Sequence, residues 1–281
     1  MEKIEIENKN EGFKWFDSEK QFERIIAIGD VHGCVDTVKF LIDNLKPTAK
    51  DYIIFLGDYI DRGPDSPGTI EFLLKLKEQI PCFFLRGNHD SMFLSFFGLG
   101  GVLGRYFSHR QNGGDITLSQ YGASNTEIAY SLKNKGYEYR VNSVARLIQS
   151  KIPEEHTQFL CDTKMFLEMD NFFFSHAGFN AWSAKPYDAQ SEEEYTWTRE
   201  QFLGQPHTEM LDKIVVHGHT INYDTFTPTW DIDLKKINLD SGSFLSGNVS
   251  SLTITPTDYT KCYMSVANFK EKHFQNAGSK A

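Results

Sequence analysis

The sequence predicts an α/β fold whose strands are buried on both faces, and three observations carry that expectation. Short apolar runs rich in β-branched and aromatic residues recur through the first third of the chain. Segments with helical apolar spacing separate them, and each run closes on glycine and a polar residue. Near-continuous apolar strands belong to parallel sheets covered on both sides, and strand–helix–strand units of roughly 30 residues form the βαβ pattern.

Residues 1–20 are polar and charge-rich and read as a lead-in arm. Arg24-Ile25-Ile26-Ala27-Ile28 reads as a strand ended by Gly29-Asp30. A helix over 35–45 follows, with Val35, Val38, Leu41, Ile42 and Leu45 on one face. Tyr52-Ile53-Ile54-Phe55-Leu56 is a second strand, ended by Gly57-Asp58. A second helix over 69–77 sets Ile70, Leu73, Leu74 and Lys77 one turn apart. Cys82-Phe83-Phe84-Leu85 is a third strand, ended by Arg86-Gly87-Asn88-His89. Ligands of open α/β sheets bind beyond the carboxyl ends of the strands, so three such ends in succession mark a site.

The stretch 91–165 reads as mainly helical and irregular, with glycine-rich breaks at 98–104 and 113–114. Strand signals return at 171–174, 213–216, 235–239, 251–254 and 262–264. No linker divides the chain. The expectation is one domain over 21–267, a helical insertion over 91–165, and a polar, solvated tail over 268–281.

Composition narrows the function. The 281 residues are 40% hydrophobic and 14% aromatic, enough for a substantial core, and carry a formal net charge of −9. That acidic balance disfavours a nucleic-acid binder, which needs a basic face. The mean hydropathy is mildly negative, and no apolar run approaches the ~18 residues of a membrane span. Met1-Glu2-Lys3-Ile4-Glu5 alternates charged and apolar residues, unlike a secretory signal. Cys34, Cys82, Cys161 and Cys262 are scattered, with no Cys-x-x-Cys pair, which argues against a disulfide framework or a thiolate zinc site. A soluble, cytoplasmic protein with no membrane partner is expected.

The polar residues at strand ends come in the order Asp30 and His32, Asp58, Asn88 and His89, His176, then His217 and His219. Glycine beside them lets the backbone turn sharply so that side chains can converge. Carboxylate and imidazole without thiolate suit Mn²⁺, Fe or Zn²⁺. Taken singly, each has a plainer reading: a helix cap or turn residue for an aspartate after glycine such as Asp30, a turn former for Asn88, a satisfied or surface histidine for each histidine.

Gly29-Asp30-Val31-His32-Gly33, Gly57-Asp58-Tyr59-Ile60-Asp61-Arg62-Gly63, Gly87-Asn88-His89-Asp90, His176-Ala177-Gly178 and Gly218-His219-Thr220 together resemble the five signature blocks of the phosphoprotein phosphatase branch of the calcineurin-like metallophosphoesterases. The resemblance covers roughly residues 22–266. It implies an α/β metallophosphoesterase β-sandwich flanked by helices, with the mainly helical insertion over the strand ends. It also implies two divalent metal ions, most simply Mn²⁺, bridged by Asp58. One ion would also take Asp30 and His32, the other Asn88, His176 and His219. A pair ~3.5–4 Å apart lowers the pKa of a bridging water and clamps phosphoryl oxygens during in-line attack.

By the same resemblance His89 is the acid that protonates the leaving oxygen, Asp61 the carboxylate that orients it, and Arg62 the phosphate clamp. Trp197-Thr198-Arg199 resembles a Trp-x-Arg element of the bacterial and bacteriophage-type branch, which makes Arg199 a second phosphate arginine; packing of its stem on Trp197 is the alternative. The Gly-His-x-His of related nucleases fails, because Ile221 holds the last slot. His217 then reads as a supporting or structural residue. Cys34 stands at a helix start, which can lower a thiol pKa, though a small packing role fits better. Gln111-Asn112-Gly113-Gly114-Asp115-Ile116-Thr117-Leu118 with Tyr121-Gly122 resembles a stretch of diadenosine tetraphosphate hydrolase-like members, and falls where a substrate cap would lie. Asp240-Ser241-Gly242 with Gly247-Asn248 resembles their closing strands, with serine for threonine.

The leading expectation is a metal-dependent phosphomonoesterase acting on phosphoserine and phosphothreonine in proteins or on small phosphate esters. A dinucleoside polyphosphate hydrolase is the alternative enzyme. A non-catalytic binding scaffold would be expected to lose ligands, yet all six ligand positions and His89 are present. The oligomeric state is not legible.

Overall fold

The computed structural model of the chain describes residues 12–15, 18–107, 111–131, 143–258 and 262–277. Of the lead-in arm expected over 1–20, residues 1–11 lie outside these. Phe13–Lys14 forms β1. The first βαβα unit is β2 (Arg24–Ile28), α1 (Val35–Leu45), β3 (Asp51–Phe55) and α2 (Ser66–Gln79), followed by β4 (Cys82–Phe84). Helix α2 begins before the expected 69, because Asp65 caps it by accepting Gly68 N–H at 2.8 Å and Pro67 occupies its first turn. Helix α3 (Asn88–Phe97) opens the insertion, which continues through α4 (Gly114–Gln120), α5 (Asn125–Ser131), α6 (Ser143–Gln149) and α7 (Glu154–Cys161).

The second half holds β5 (Phe166–Glu168), β6 (Phe172–Ser175), α8 (Glu192–Trp197), α9 (Glu200–Leu203) and β7 (Ile214–His217). It continues with β8 (Thr229–Asp231), β9 (Lys236–Asn238), α10 (Ser243–Ser246), β10 (Asn248–Ile254), β11 (Cys262–Asn268) and β12 (His273–Ala277). Strand β12 pairs antiparallel with β11. It corrects the expectation of a solvated tail over 268–281: a polar edge strand held by main-chain bonds leaves little apolar signal.

Two six-stranded sheets result, ordered β1-β5-β6-β7-β9-β8 and β12-β11-β10-β2-β3-β4. Pairing is parallel at β2–β3–β4, at β6–β7–β9 and at β1–β5, and antiparallel at β2–β10–β11–β12, β5–β6 and β8–β9. Period-2 alternation explains why the strands read as continuously apolar. Ile25, Ala27, Ile54, Phe172 and Phe174 point between the sheets, where they meet Leu167, Val216 and Leu252. Ile26, Ile28, Ile53 and Phe55 point the other way, against α1 and α2 through Val38, Leu41, Ile70 and Leu73. Phe173 and Val215 cover the far side of the second sheet with Phe179, Tyr195 and Phe202. The fold is therefore the β-sandwich with flanking helices that the sequence implied, and the carboxyl ends of its two parallel strand groups face a common cleft.

Candidate active site

All but one of the sequence-predicted ligand and catalytic residues follow one of those strand ends, Asn88 and His89 as the first residues of α3; the exception, Arg199, stands just before α9. Asp30 and His32 follow β2, Asp58, Asp61 and Arg62 follow β3, Asn88 and His89 follow β4, His176 follows β6, and His219 follows β7. Glycine is required where backbone meets carboxylate: a Cβ at Gly87 would lie 2.1 Å from Asp58 Oδ1, and one at Gly218 would lie 2.0 Å from Asp30 Oδ1. His32, Asp58, Asp61, Arg62 and His219 all have positive φ, between 43° and 71°. Non-glycine residues adopt that region at a cost of ~1–3 kcal/mol each and do so mainly at functional sites.

Asp58 lies at the centre. Its Oδ2 is 3.4 Å from His32 Nε2 and 3.5 Å from His176 Nε2. One ligand group gathers Asp58 with His32 and His89, and another gathers Asp58 with His176 and His219, within 4.8 Å in each case. Asp58 is the residue common to both. Asn88 Oδ1 stands 3.0 Å from His176 Nε2 and 2.9 Å from His219 Nδ1. Asp30 joins from the other side and accepts His219 N–H at 3.2 Å.

The donor set fits divalent cations. His32 and His176 direct Nδ1 at the carbonyls of Ile60 and Leu56, each at 2.9 Å. A ring that donates Nδ1–H there keeps the Nε2 lone pair for the cleft. Acceptor then faces acceptor at His176 Nε2, Asn88 Oδ1 and Asp58 Oδ2, an arrangement that a cation satisfies. Electrostatics agree. Burial pushes Asp58 up to about 7. Burial, followed by the charges of Asp240 and Asp58, raises Asp30 well above the usual carboxylate range. Burial likewise holds His176 down at about 3, and His32 and His219 well below their ordinary value. Neutral imidazoles and crowded carboxylates are what hard and borderline metal ions need as ligands.

His89 stands apart from that pattern. Its Nδ1 meets Asp61 Oδ2 at 2.8 Å, and both residues are buried. Burial raises the Asp61 carboxyl and lowers the His89 imidazole. Arg62 Nη1 lies 3.1 Å from His32 Nε2, and the guanidinium stacks 4.8 Å over Phe244. Arg199 Nη1 donates to His219 O and Thr220 Oγ1, both at 3.1 Å. Both arginines line one cavity of about 260 Å³, together with Asp30, Asp58, Asn88 and His89.

Sequence reasoning missed three contributors. Asp90 Oδ2 accepts the N–H groups of Asp58 and Gly87 at 2.8 and 2.9 Å, and Oδ1 accepts Tyr59 N–H at 3.1 Å, so this carboxylate fixes the Asp58 turn. Asp240 lines the cavity and is pushed up to about 7 by burial and by Asp58. Tyr223, 68% exposed, stands at the cavity wall. Asp90 and Asp240 each lie within a quoted motif, the signal that could have found them. The stretch 111–122 does not line the cavity as a substrate cap would; α4 packs behind the Asp61–Arg62 turn. His217 is buried edge-on against Phe202, with Nδ1 on Gly218 O, a structural position. Burial pushes the Cys34 thiol up to about 11, which makes it a packing residue and not a reactive thiolate.

A family model described as calcineurin-like phosphoesterase matches residues 23–241. Among curated proteins, the symmetrical bis(5'-nucleosyl)-tetraphosphatase of Cellvibrio japonicus is 40% identical over 75 residues, 26% of this chain and 27% of that protein. An asymmetrical bis(5'-nucleosyl)-tetraphosphatase of Oceanobacillus iheyensis is 29% identical over 124 residues, 41% of this chain and 47% of that protein. The match thus spans between a quarter and a half of these relatives' length. Among solved structures, one described as a diadenosine tetraphosphatase superposes with a TM-score of 0.58 at 19% identity, over 96% of this chain and 99% of that one. A cold-active protein-tyrosine phosphatase of a psychrophilic Shewanella does so with 0.58 at 17%, over 94% and 82%. At these identities the likeness is one of fold.

Proposed function

This chain belongs to the calcineurin-like phosphoesterase family, hydrolases that work with divalent metal, and from that premise we propose that it cleaves phosphate esters at a two-metal centre shared through Asp58. The observation that carries this reading is the position of Asp58, common to two groups of ligand atoms that each close within 4.8 Å. Asp30 and His32 serve one cation; Asn88, His176 and His219 serve the other. Mn²⁺ suits this thiolate-free set. When bound, the cations supply Lewis-acid charge to the phosphoryl oxygens and lower the pKa of the attacking water.

The chain's own residues do the rest. Arg62 and Arg199 reach the cavity from opposite turns and hold phosphoryl oxygens by charge-assisted hydrogen bonds. His89 gives its proton to the leaving oxygen, and Asp61 holds Nδ1 so that Nε2 is the atom presented. Removing metal by exhaustive chelation is expected to abolish turnover, and Mn²⁺ to restore it. Full turnover by metal-stripped protein, checked by elemental analysis, overturns the reading.

The favoured substrate class is a dinucleoside polyphosphate. The curated relatives carry that activity in their names, and the exposed Tyr223 ring offers a base a face to stack on beside the phosphoryl site. Phosphoserine and phosphothreonine monoesters are the second reading. A cavity of about 260 Å³ falls below the ~300–1,000 Å³ of sites that enclose drug-sized ligands, so it seats a phosphoryl group and leaves the leaving group outside. Turnover of diadenosine tetraphosphate against a phosphoserine peptide decides: kcat/KM higher for the dinucleotide supports the first reading, and the reverse order the second.

A further inference from the structure

We propose that Thr117, on the insertion helix α4, is a positioning residue that sets the Asp61–His89 pair for proton transfer. This rests on the reading of His89 as the proton donor. Thr117 is completely buried, and its hydroxyl holds Asp61 at both ends. Oγ1 donates to Asp61 Oδ1 at 2.5 Å and accepts the N–H of Asp61 at 3.0 Å, an N–H that Ser66 Oγ also accepts at 3.1 Å. The single hydroxyl proton is committed to the carboxylate, so Ser66 Oγ, 3.2 Å away, is the donor in its contact with Thr117. Both lone pairs of the hydroxyl are then filled. No freedom is left in it.

The consequence falls on His89. With Oδ1 taken by Thr117, the Asp61 carboxyl presents Oδ2 to His89 Nδ1 at 2.8 Å. Asp61 needs such a hold, because it sits at φ 71°, a conformation its own backbone disfavours. Helix α4 is registered on the same turn at two further points. Gln120 accepts Ser66 N–H and donates to Gly63 O, each at 2.9 Å, and a Cβ at Gly113 would come 2.6 Å from Arg62 N. The insertion thus acts as a buttress behind the acid: the geometry that places the His89 proton is set by a hydroxyl 56 residues along the chain from Asp61.

The test uses the full chain loaded with Mn²⁺. Thr117→Val keeps the shape and removes the hydroxyl, and Thr117→Ser keeps the hydroxyl. A positioning role predicts that Thr117→Val lowers kcat about ten- to a hundredfold on a phosphoserine peptide, the worth of one hydrogen bond to a charged group. On p-nitrophenyl phosphate, whose leaving group needs no proton, kcat should fall less than threefold, with KM and metal content unchanged. Thr117→Ser should restore the ratio of the two rates. Equal losses on both substrates, or no loss on either, overturn the inference, and Thr117→Ser together with a melting scan guards against a fold defect in the valine variant. His89→Asn run beside them separates the failures. If that variant lacks leaving-group selectivity, the proton-donor reading fails; if it has the selectivity and Thr117→Val does not, the positioning role fails.

Discussion

Asp58→Asn is expected to lose at least one of two bound metals per chain and to lower kcat/KM by roughly 10³-fold or more, since metal ions supply several kcal/mol to the charge on a transferring phosphoryl group. The substitution isolates charge from shape. Asparagine tolerates left-handed backbone as well as aspartate does, which suits φ 53° at this position. Its side-chain oxygen can still accept His89 N–H, now at 2.9 Å. What disappears is one negative charge beside Asp30, Asp90 and Asp240, whose carboxyls it pushes upward. The metal-free variant should therefore be more stable than metal-free wild type, while the metal-loaded variant should be less stable. The sign can be followed with pH. An Asp58 carboxyl near 7 when folded and ~3.9 when unfolded contributes stability below the unfolded value that is lost as pH rises toward the folded one. The margin of the metal-free variant over wild type should widen across that window. Melting scans with and without Mn²⁺ check the crossing. A variant that keeps two tightly bound metals contradicts the sharing of Asp58.

His89→Asn should have the second-largest effect, and a selective one. With metal content nearly unchanged, kcat on a phosphoserine peptide should fall by ~10²–10⁴, the range for a positioned proton donor. The alkoxide that leaves serine is strongly basic and must be protonated as it departs; p-nitrophenolate leaves without help, so the loss there should be small. Asp61→Asn should show the same selectivity more weakly, because it acts through the 2.8 Å contact to His89 Nδ1. Parallel steady-state runs on the two substrates with elemental analysis of each variant are the check. A His89 variant equally impaired on both, or deficient in metal, would make this residue a ligand, as its place in a group with His32 and Asp58 permits.

The site was legible in the sequence to the extent that its chemistry is tied to local backbone. Asp30 and Asp58 follow buried strands and Asn88 a half-buried edge strand, each beside a glycine, and the close approaches at Gly29, Gly57 and Gly87 make those glycines obligatory. Apolar run, glycine and polar residue therefore occur together along the chain. Thr117 has no such local mark, since its meaning lies in a side-chain bond to Asp61 across 56 residues. Only its place in the Asn112-Gly113-Gly114 stretch set it apart, and that stretch suggested a cap, not a buttress. Strands β5, β8 and β12 escaped for another reason: they are three, three and five residues long. Their apolar content is too small to stand out from the surrounding turns, and their identity comes from the neighbours they pair with. The place of Tyr223 at the cavity depends on how the second sheet meets the first, which no single stretch of sequence encodes.

The most direct test of the central claim is low-temperature electron paramagnetic resonance of the wild-type chain titrated with Mn²⁺, with bound metal counted in parallel. Two ions held by one carboxylate are close enough to couple their spins. Two Mn²⁺ per chain are expected at saturation, with the six-line signal of isolated Mn²⁺ giving way to a spin-coupled spectrum. In Asp58→Asn that coupling should vanish. A single bound ion, or two ions whose signals remain uncoupled at full occupancy, would contradict a centre shared through Asp58.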